Sequence, residues 1–473
     1  MKGKNTPEKT KNVEKAREEQ KMGEKTIEKN AITEGVIWKQ LLIFFFPIML
    51  GTLIQQLYTT VDTIIVGRFV GKAALASVGG PAAVLSTIVV TFFNGLANGA
   101  AVIIAQYYGA KDRKSLHVGL HTAYLFSIVI SLIVSLVGTV LTPWLLTIMN
   151  TPQDMMEDST IYLRIYFMGI LFTLVYNMGA AIMRAVGDSR RPLLYLLVCC
   201  VMNIILDIVM VVGMKMGIAG AALATVISQC VSAILVTWSL TRAYDAMKLK
   251  FRELRMDARV LKKELKIGVP GALQACAYGV TNVVIQASVN SFGTDTAAGW
   301  AAYGKLDLIF WTVSSALGAA VTTFAGQNYG AGKMDRVYKS IRVNVVISYI
   351  FTGAIIVILF VFCEPLYHMF TTDPKVIEIG VYMLRFLIPS YLLSVLLENL
   401  SGGLRGLGDV FWTVFTFGGL FFVRLPWIMI LTKIHHEVEV LLISYPLAWG
   451  GTLLCLIPYY FWRKKKRMKL AGR

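Results

Sequence analysis

The amino-acid sequence predicts an all-α membrane protein: about twelve transmembrane helices in two pseudo-symmetric six-helix lobes. Three observations carry this. Uncharged apolar runs too long for a soluble core recur along the chain, cations concentrate in alternate loops, and motifs of the first half return in the second at a fixed spacing.

Of 473 residues, 56% are hydrophobic and 16% charged, with a mean hydropathy of +0.62. Soluble domains are ~45–50% apolar and ~25% charged. Segments 41–57, 82–106, 118–144 and 343–363 contain no Asp, Glu, Lys or Arg. A stretch of roughly 20 such residues crosses a ~30 Å hydrocarbon core. The ~10-residue alternating segments of a membrane β-barrel are absent.

The spans and their flanking charges follow in order. The first, 38–66, comes after a Lys- and Glu-rich stretch, 1–34, with too few apolar residues to fold alone. That stretch has no apolar h-region, so it is not read as a signal peptide; it is expected to be a disordered tail with no assigned role. The second span, 75–107, ends before Lys111, Arg113 and Lys114. The third and fourth, 116–147 and 158–184, are separated by Asp154, Glu157 and Asp158. Arg184, Arg190 and Arg191 surround the turn into the fifth, 192–213. The sixth, 217–241, leads into a basic linker, 242–264. The seventh and eighth, 265–292 and 297–329, turn at Asp295. Lys333, Arg336 and Lys339 mark the turn into the ninth, 338–369, and Asp373 and Glu378 the turn into the tenth, 377–404. The eleventh and twelfth, 410–432 and 438–462, end in a basic tail, 463–473.

Cation-rich loops stay cytoplasmic. Both termini are therefore expected in the cytoplasm of a multi-pass protein of the cell membrane, which requires an even number of spans. The net charge of +18 lies between spans and at the ends, which points to a lipid surface rather than to nucleic acid.

The repeat is read from several motifs in one register. Gln106-Tyr107-Tyr108-Gly109-Ala110 returns as Gln327-Asn328-Tyr329-Gly330-Ala331, and 327 − 106 = 221. Arg184-Ala185-Val186-Gly187-Asp188 returns as Arg405-Gly406-Leu407-Gly408-Asp409, again at 221, as do Arg164 and Arg385. Pro47 and Pro270 open the first helix of each half at an offset of 223. Six spans per half give both halves the same direction, so lobes 35–241 and 265–462 should be related by an axis along the membrane normal, with a site between them.

Ionisable residues within spans are costly and mark function by default. Gln55, Tyr58 and Asp62 fall at i, i+3 and i+7 on one helical face; Asp62 at a water interface would be a mere cap. Pro47, upstream, should loosen that helix and act as its hinge. Asn203 and Asp207 lie one turn apart in the fifth span. An amide and a carboxylate so placed suit a small hard cation, and an enclosed carboxyl suits a proton equally well. Thr225 could add a hydroxyl, although packing explains a lone Thr as well. In the second half Asp307 and Glu398 are the intramembrane carboxylates, and Arg424 holds the repeat position of Asn203. The halves thus share a fold and not a site.

Enzyme motifs fail. Gly406-Leu407-Gly408-Asp409 matches an intramembrane aspartyl-protease motif, but it is a repeat-related turn without its partner Tyr-Asp in a span. Residues 109–115 lack the second Gly of a nucleotide loop, so vectorial work would draw on an ion gradient. His117 and His121 have no acidic partner at metal-site spacing, and the six cysteines form no C-x-x-C pair.

Taken together, these residues resemble the multidrug and toxic compound extrusion (MATE) family. The resemblance rests on Val61-Asp62-Thr63 with Gly67-Arg68, Ala105 to Ala110, the paired turns at 184–188 and 405–409, and Asn203 to Asp207 before Gly217 to Ala222. It implies a V-shaped pair of lobes and a non-enzymatic antiporter, a monomer without cofactor, exporting small organic, often cationic, compounds against Na⁺ or H⁺. It places the ion site at Asp62, Asn203, Asp207 and Thr225. Gln55, Tyr58, Asn177, Asp307 and Glu398 are assigned to the substrate cavity. The alternative within the same superfamily is a flippase for lipid-linked oligosaccharides, whose cavity should be markedly cationic; Arg164, Arg385 and Arg424 are the residues that would favour it.

Overall fold

The computed structural model describes residues 31–243, 245–470 and Gly472. Eleven helices among them are long and apolar enough to cross a membrane: α1 Ile37–Phe69, α2 Ala74–Gly109, α3 Arg113–Ile148, α4 Gln153–Ala185, α5 Arg190–Gly213, α6 Gly217–Thr241, α8 Thr294–Gly330, α9 Met334–Val361, α10 Pro374–Gly406, α11 Trp412–Ile434 and α12 Val438–Leu470. The twelfth, α7 Ala258–Ser291, is equally long but carries polar residues such as Gln274, Asn282 and Gln286. Among the described residues there is no strand. The chain is a multi-pass membrane protein.

Local chemistry sets the helix ends. Asp257 accepts hydrogen bonds from the Arg259 and Val260 amides at 2.9 and 3.0 Å and caps α7. That cap pulls residues 258–264, expected in the linker because of their charge, into the helix. Asp112 and Asp373 cap α3 and α10 in the same way, and the Ser115 amide holds the Asp112 carboxyl below its ordinary range. The repeated turns are helix stops: Gly187 and Gly408 take φ of +99° and +71°, a region that favours glycine. The following aspartates, Asp188 and Asp409, accept the Arg190 and Phe411 amides, each at 3.1 Å. The protease-like motif is thus a capping turn, and Asp409 is further tied to Tyr459 and Arg463.

Three further expected boundaries shift. Residues 31–34, counted with the tail, form a short helix whose Ile32 carbonyl accepts from Arg336; residues 1–30 lie outside the described residues. The basic segment after 462 continues α12 to Leu470. The span expected at 338–369 ends at Val361 and is followed by a separate short helix, Cys363–His368.

Helices α1–α6 and α7–α12 form the two lobes. At the end that carries the linker and the basic tail the lobes touch. There α1 places Phe44 and Phe45 against Phe324 and Ile347 of α8 and α9, and α2 crosses α7. A side chain at Gly95 or Gly99 would run into Ala272 or Gly268. Toward the other end, Thr91 of α2 borders both a cavity between the lobes and one within the first lobe. The lobes therefore make a V closed at the basic end. The linker is fastened there too. The Nδ1 of His121 lies 2.8 Å from the His117 carbonyl, its Nε2 accepts from the Lys250 amide at 3.1 Å, and His117 pairs with Glu253 at 2.7 Å. The hydrogen bond from Lys250 keeps the Glu253 carboxyl below its ordinary range.

Candidate functional site

In the first lobe, α1 sends Gln55, Tyr58 and Asp62 into a cavity of about 670 Å³, faced by Tyr162 and Tyr166 of α4 and by Thr225 and Gln229 of α6. The helical spacing of the sequence explains the shared face. Asp62 is 6% exposed; behind it Asn203 and Asp207 of α5 are fully buried. Just after Asp207 the helix loosens into a wide π turn, Ile208–Gly213, a distortion common at functional sites. The Tyr58 hydroxyl donates to Thr225 Oγ1 at 3.4 Å.

The Asp62 and Asp207 carboxyls lie within hydrogen-bonding reach of each other. Yet Asp62 Oδ1, both Asp207 oxygens and both amide atoms of Asn203 are buried with no protein donor or acceptor. Two ionised carboxylates so enclosed are strongly unfavourable. The pair can share a proton, or it can surround a cation; carboxylate, amide and hydroxyl oxygens are the ligands a hard cation prefers. All four residues assigned to the ion site by sequence are buried in this region. Pro47 lies inside α1, which continues unbroken through it. Proline has no amide to donate, so the Ile43 carbonyl lacks its usual helical partner.

The assigned substrate residues do not share one cavity. Gln55 and Tyr58 stand beside Asp62, whereas Asp307 and Glu398 line a second cavity of about 520 Å³ between the lobes, bordered by α2, α7, α8, α10, α11 and α12. Thr91 of α2 borders both. Asn177 is half-buried on α4, one turn from Thr173 of the first cavity, and borders neither. Asp307 is already engaged: Tyr391 donates to one oxygen at 2.6 Å and Trp311 to the other at 2.9 Å. Glu398 pairs with Arg405 at 3.3 Å. Of the three arginines that would favour a flippase, Arg424 is the one that the structure places in this cavity, 2% exposed and beside Asp307 and Glu398. Its signal was the repeat register, which sets it opposite Asn203. Arg164 and Arg385 are both exposed and line neither cavity.

Each half of the chain matches the family model MatE, over residues 47–209 and 270–430. The first interval contains Asp62, Asn203 and Asp207, the second Asp307, Glu398 and Arg424.

The chain belongs to the MatE family.

It is 29% identical over 448 residues to the probable multidrug resistance protein YoeA of Bacillus subtilis (strain 168), covering 92% of this chain and 96% of that one. With the probable multidrug resistance protein YpnP of the same organism it shares 32% over 75% of this chain and 79% of that one. The multidrug export protein MepA of Staphylococcus haemolyticus (strain JCSC1435) is 24% identical over 80% and 83%. The MatE architecture is equally plain in solved structures. A crystal structure of MATE in the bent conformation superposes with a TM-score of 0.85 at 19% identity, over 93% of this chain and 98% of that one. An outward-facing conformation of a multidrug resistance MATE family transporter gives 0.82 at 19% identity, over 94% and 98%. This MatE chain is thus a member of a family of multidrug efflux transporters, not an enzyme.

Proposed function

We propose that this protein is an antiporter that exports small organic cations or amphipathic compounds in exchange for Na⁺ or H⁺. The observation that carries the reading is the buried pair Asp62 and Asp207, which has no cationic partner among the described residues. A site of this kind exchanges one positive charge for another. Ion entry neutralises the pair and favours one helix arrangement, and an organic cation in the adjoining cavity competes for the same charge. The basic end is taken as cytoplasmic, so the structure is in an outward-facing arrangement. The flippase alternative fits less well, because Asp62 lines the first cavity and Asp207 is buried behind it.

The test is transport in proteoliposomes with Na⁺ and H⁺ gradients imposed separately and ethidium as the probe. One gradient should drive ethidium movement. By reciprocity the coupling ion should weaken ethidium binding to purified protein about 5–150-fold, the usual range for coupled sites. If neither ion changes transport or affinity, the antiport reading is wrong. Orientation has its own test. A cysteine at Met156 should react with an impermeant maleimide in intact cells; labelling only after permeabilisation would reverse the topology.

A further inference from the structure

We propose that Arg424 makes the second cavity a binding site for an oxyanion, the carboxylate or phosphate of an aromatic solute. The proposal rests on the export reading for its physiological sense and on separate observations for its chemistry.

The repeat register places the residues of one lobe on the other. With the 221 offset, Asn203 maps to Arg424, Asp207 to Ile428 and Thr225 to Pro446; with the 223 offset of the proline-bearing helices, Asp62 maps to Ile285. Ile285 and Ile428 are 1% and 0% exposed. Where one lobe buries two carboxylates, the other buries two isoleucines, and where one has an amide, the other has a guanidinium. The same fold position is therefore acidic in one lobe and cationic in the other.

Arg424 is not consumed by its neighbours. Its Nε and Nη2 are buried without a hydrogen-bond partner, and among the described residues no carboxylate lies within ion-pairing distance of it. Asp307 accepts from Tyr391 and Trp311 and makes no hydrogen bond to Arg424, and Glu398 is matched by Arg405. The Tyr445 ring packs against the guanidinium, its centroid 3.6 Å from Cζ, as a cation held on an aromatic face. A buried guanidinium with unused donors is costly unless an acceptor meets it. A carboxylate or phosphate is the acceptor whose geometry matches two parallel N–H groups. Trp311, Tyr445 and Trp449 border the same cavity, and offer flat faces for an aromatic body. The ligand class is an oxyanion on an aromatic body. A zwitterion would place its cationic end nearer the acidic cavity, which meets this one at Thr91.

The experiment is equilibrium binding to full-length protein in phosphatidylcholine nanodiscs. The probes are 2-naphthoate, methyl 2-naphthoate and 2-naphthylmethylammonium, with dihexanoylphosphatidic acid as competitor. Wild type should prefer 2-naphthoate over its ester by at least about tenfold, the scale of a charge-assisted hydrogen bond. Arg424→Gln should remove that preference without weakening the ammonium probe, and Arg424→Lys, which keeps the charge and loses the fork, should fall between. No preference in wild type, or an undiminished one in Arg424→Gln, overturns the proposal. Arg424-dependent binding of phosphatidic acid, with none of 2-naphthoate, assigns the cavity to a lipid headgroup and overturns the aromatic solute. If Arg424→Gln does not fold, the wild-type comparison and the Lys variant decide. Ion-driven ethidium transport by wild type and Arg424→Gln, measured alongside, separates this result from the antiport reading, which falls only if transport is absent in both.

Discussion

Asp207→Asn is expected to reduce ion-driven ethidium export by at least tenfold while leaving the protein folded. The amide keeps the size and shape of the side chain and removes its charge. Asp207 is fully buried, and its oxygens have no protein donor beyond a proton shared with Asp62, a contact that the Asn amide can replace by donating to the Asp62 carboxyl. Removing an ionisable group from such a place takes away a desolvation cost, and the thermal midpoint should hold or rise. What disappears is the charge over which ion and substrate compete, and with it a coupling free energy of ~1–3 kcal/mol, equivalent to about 5–150-fold in affinity. Asp62→Asn should act the same way, because the two carboxyls lie within hydrogen-bonding reach. The measurement is ethidium affinity as a function of the coupling ion in wild type and both variants. If the linkage vanishes in one variant and survives in the other, the carboxylates are not one site; if Asp207→Asn exports normally, Asp207 is outside the mechanism.

Much of this arrangement was legible in the sequence, for identifiable reasons. A span is a matter of length and apolarity, and both are written locally. The i, i+3, i+7 spacing of Gln55, Tyr58 and Asp62 dictates a common face, and Asn203 and Asp207 are one turn apart. What stayed hidden depends on contacts between distant segments. Nothing in the spacing of Asp307 reveals that Tyr391, 84 residues on, supplies a donor. Trp311, four residues on, could have been read from the helical period. Residues 258–264 look like linker by charge, and only the cap by Asp257 makes them helix. Gln106 and Gln327 served as markers of the repeat; their partners, 300 and 142 residues away, could not be read from any periodicity.

Where those two glutamines meet, Gly109→Val should open the basic end of the protein. Gln106 of the first lobe donates through Nε2 to the Gly406 carbonyl at the end of α10, at 2.9 Å. Gln327 of the second donates to the Ala185 carbonyl at the end of α4, at 2.7 Å. Donors and acceptors are both related by 221, since 327 − 106 = 406 − 185. Each lobe thus satisfies a terminal carbonyl of the other's helix, a group otherwise left without a partner. The two bonds are possible because α2 and α8 meet backbone to backbone there. A Cβ on Gly109 would run into the main-chain carbonyl of Gln327, and one on Gly330 into that of Gln106. Neither carbonyl can step aside as a flexible side chain could. Overpacking of this kind costs ~1–3 kcal/mol, which multiplies the population of the open arrangement by about 5–150-fold, whereas each glutamine bond contributes ~0.5–1.5 kcal/mol. Ala105, 1% exposed beside this contact, is the reporter. In a cysteine-free background, Ala105→Cys should resist an impermeant maleimide applied from the basic side. With Gly109→Val added it should react at least about tenfold faster, in keeping with that shift in population. Gln106→Leu together with Gln327→Leu should accelerate labelling less. Export should fall in Gly109→Val, because a transporter that cannot close one end cannot alternate. Unchanged protection of Ala105→Cys together with normal export would mean that the crossed glutamine contact is not the seal between the lobes.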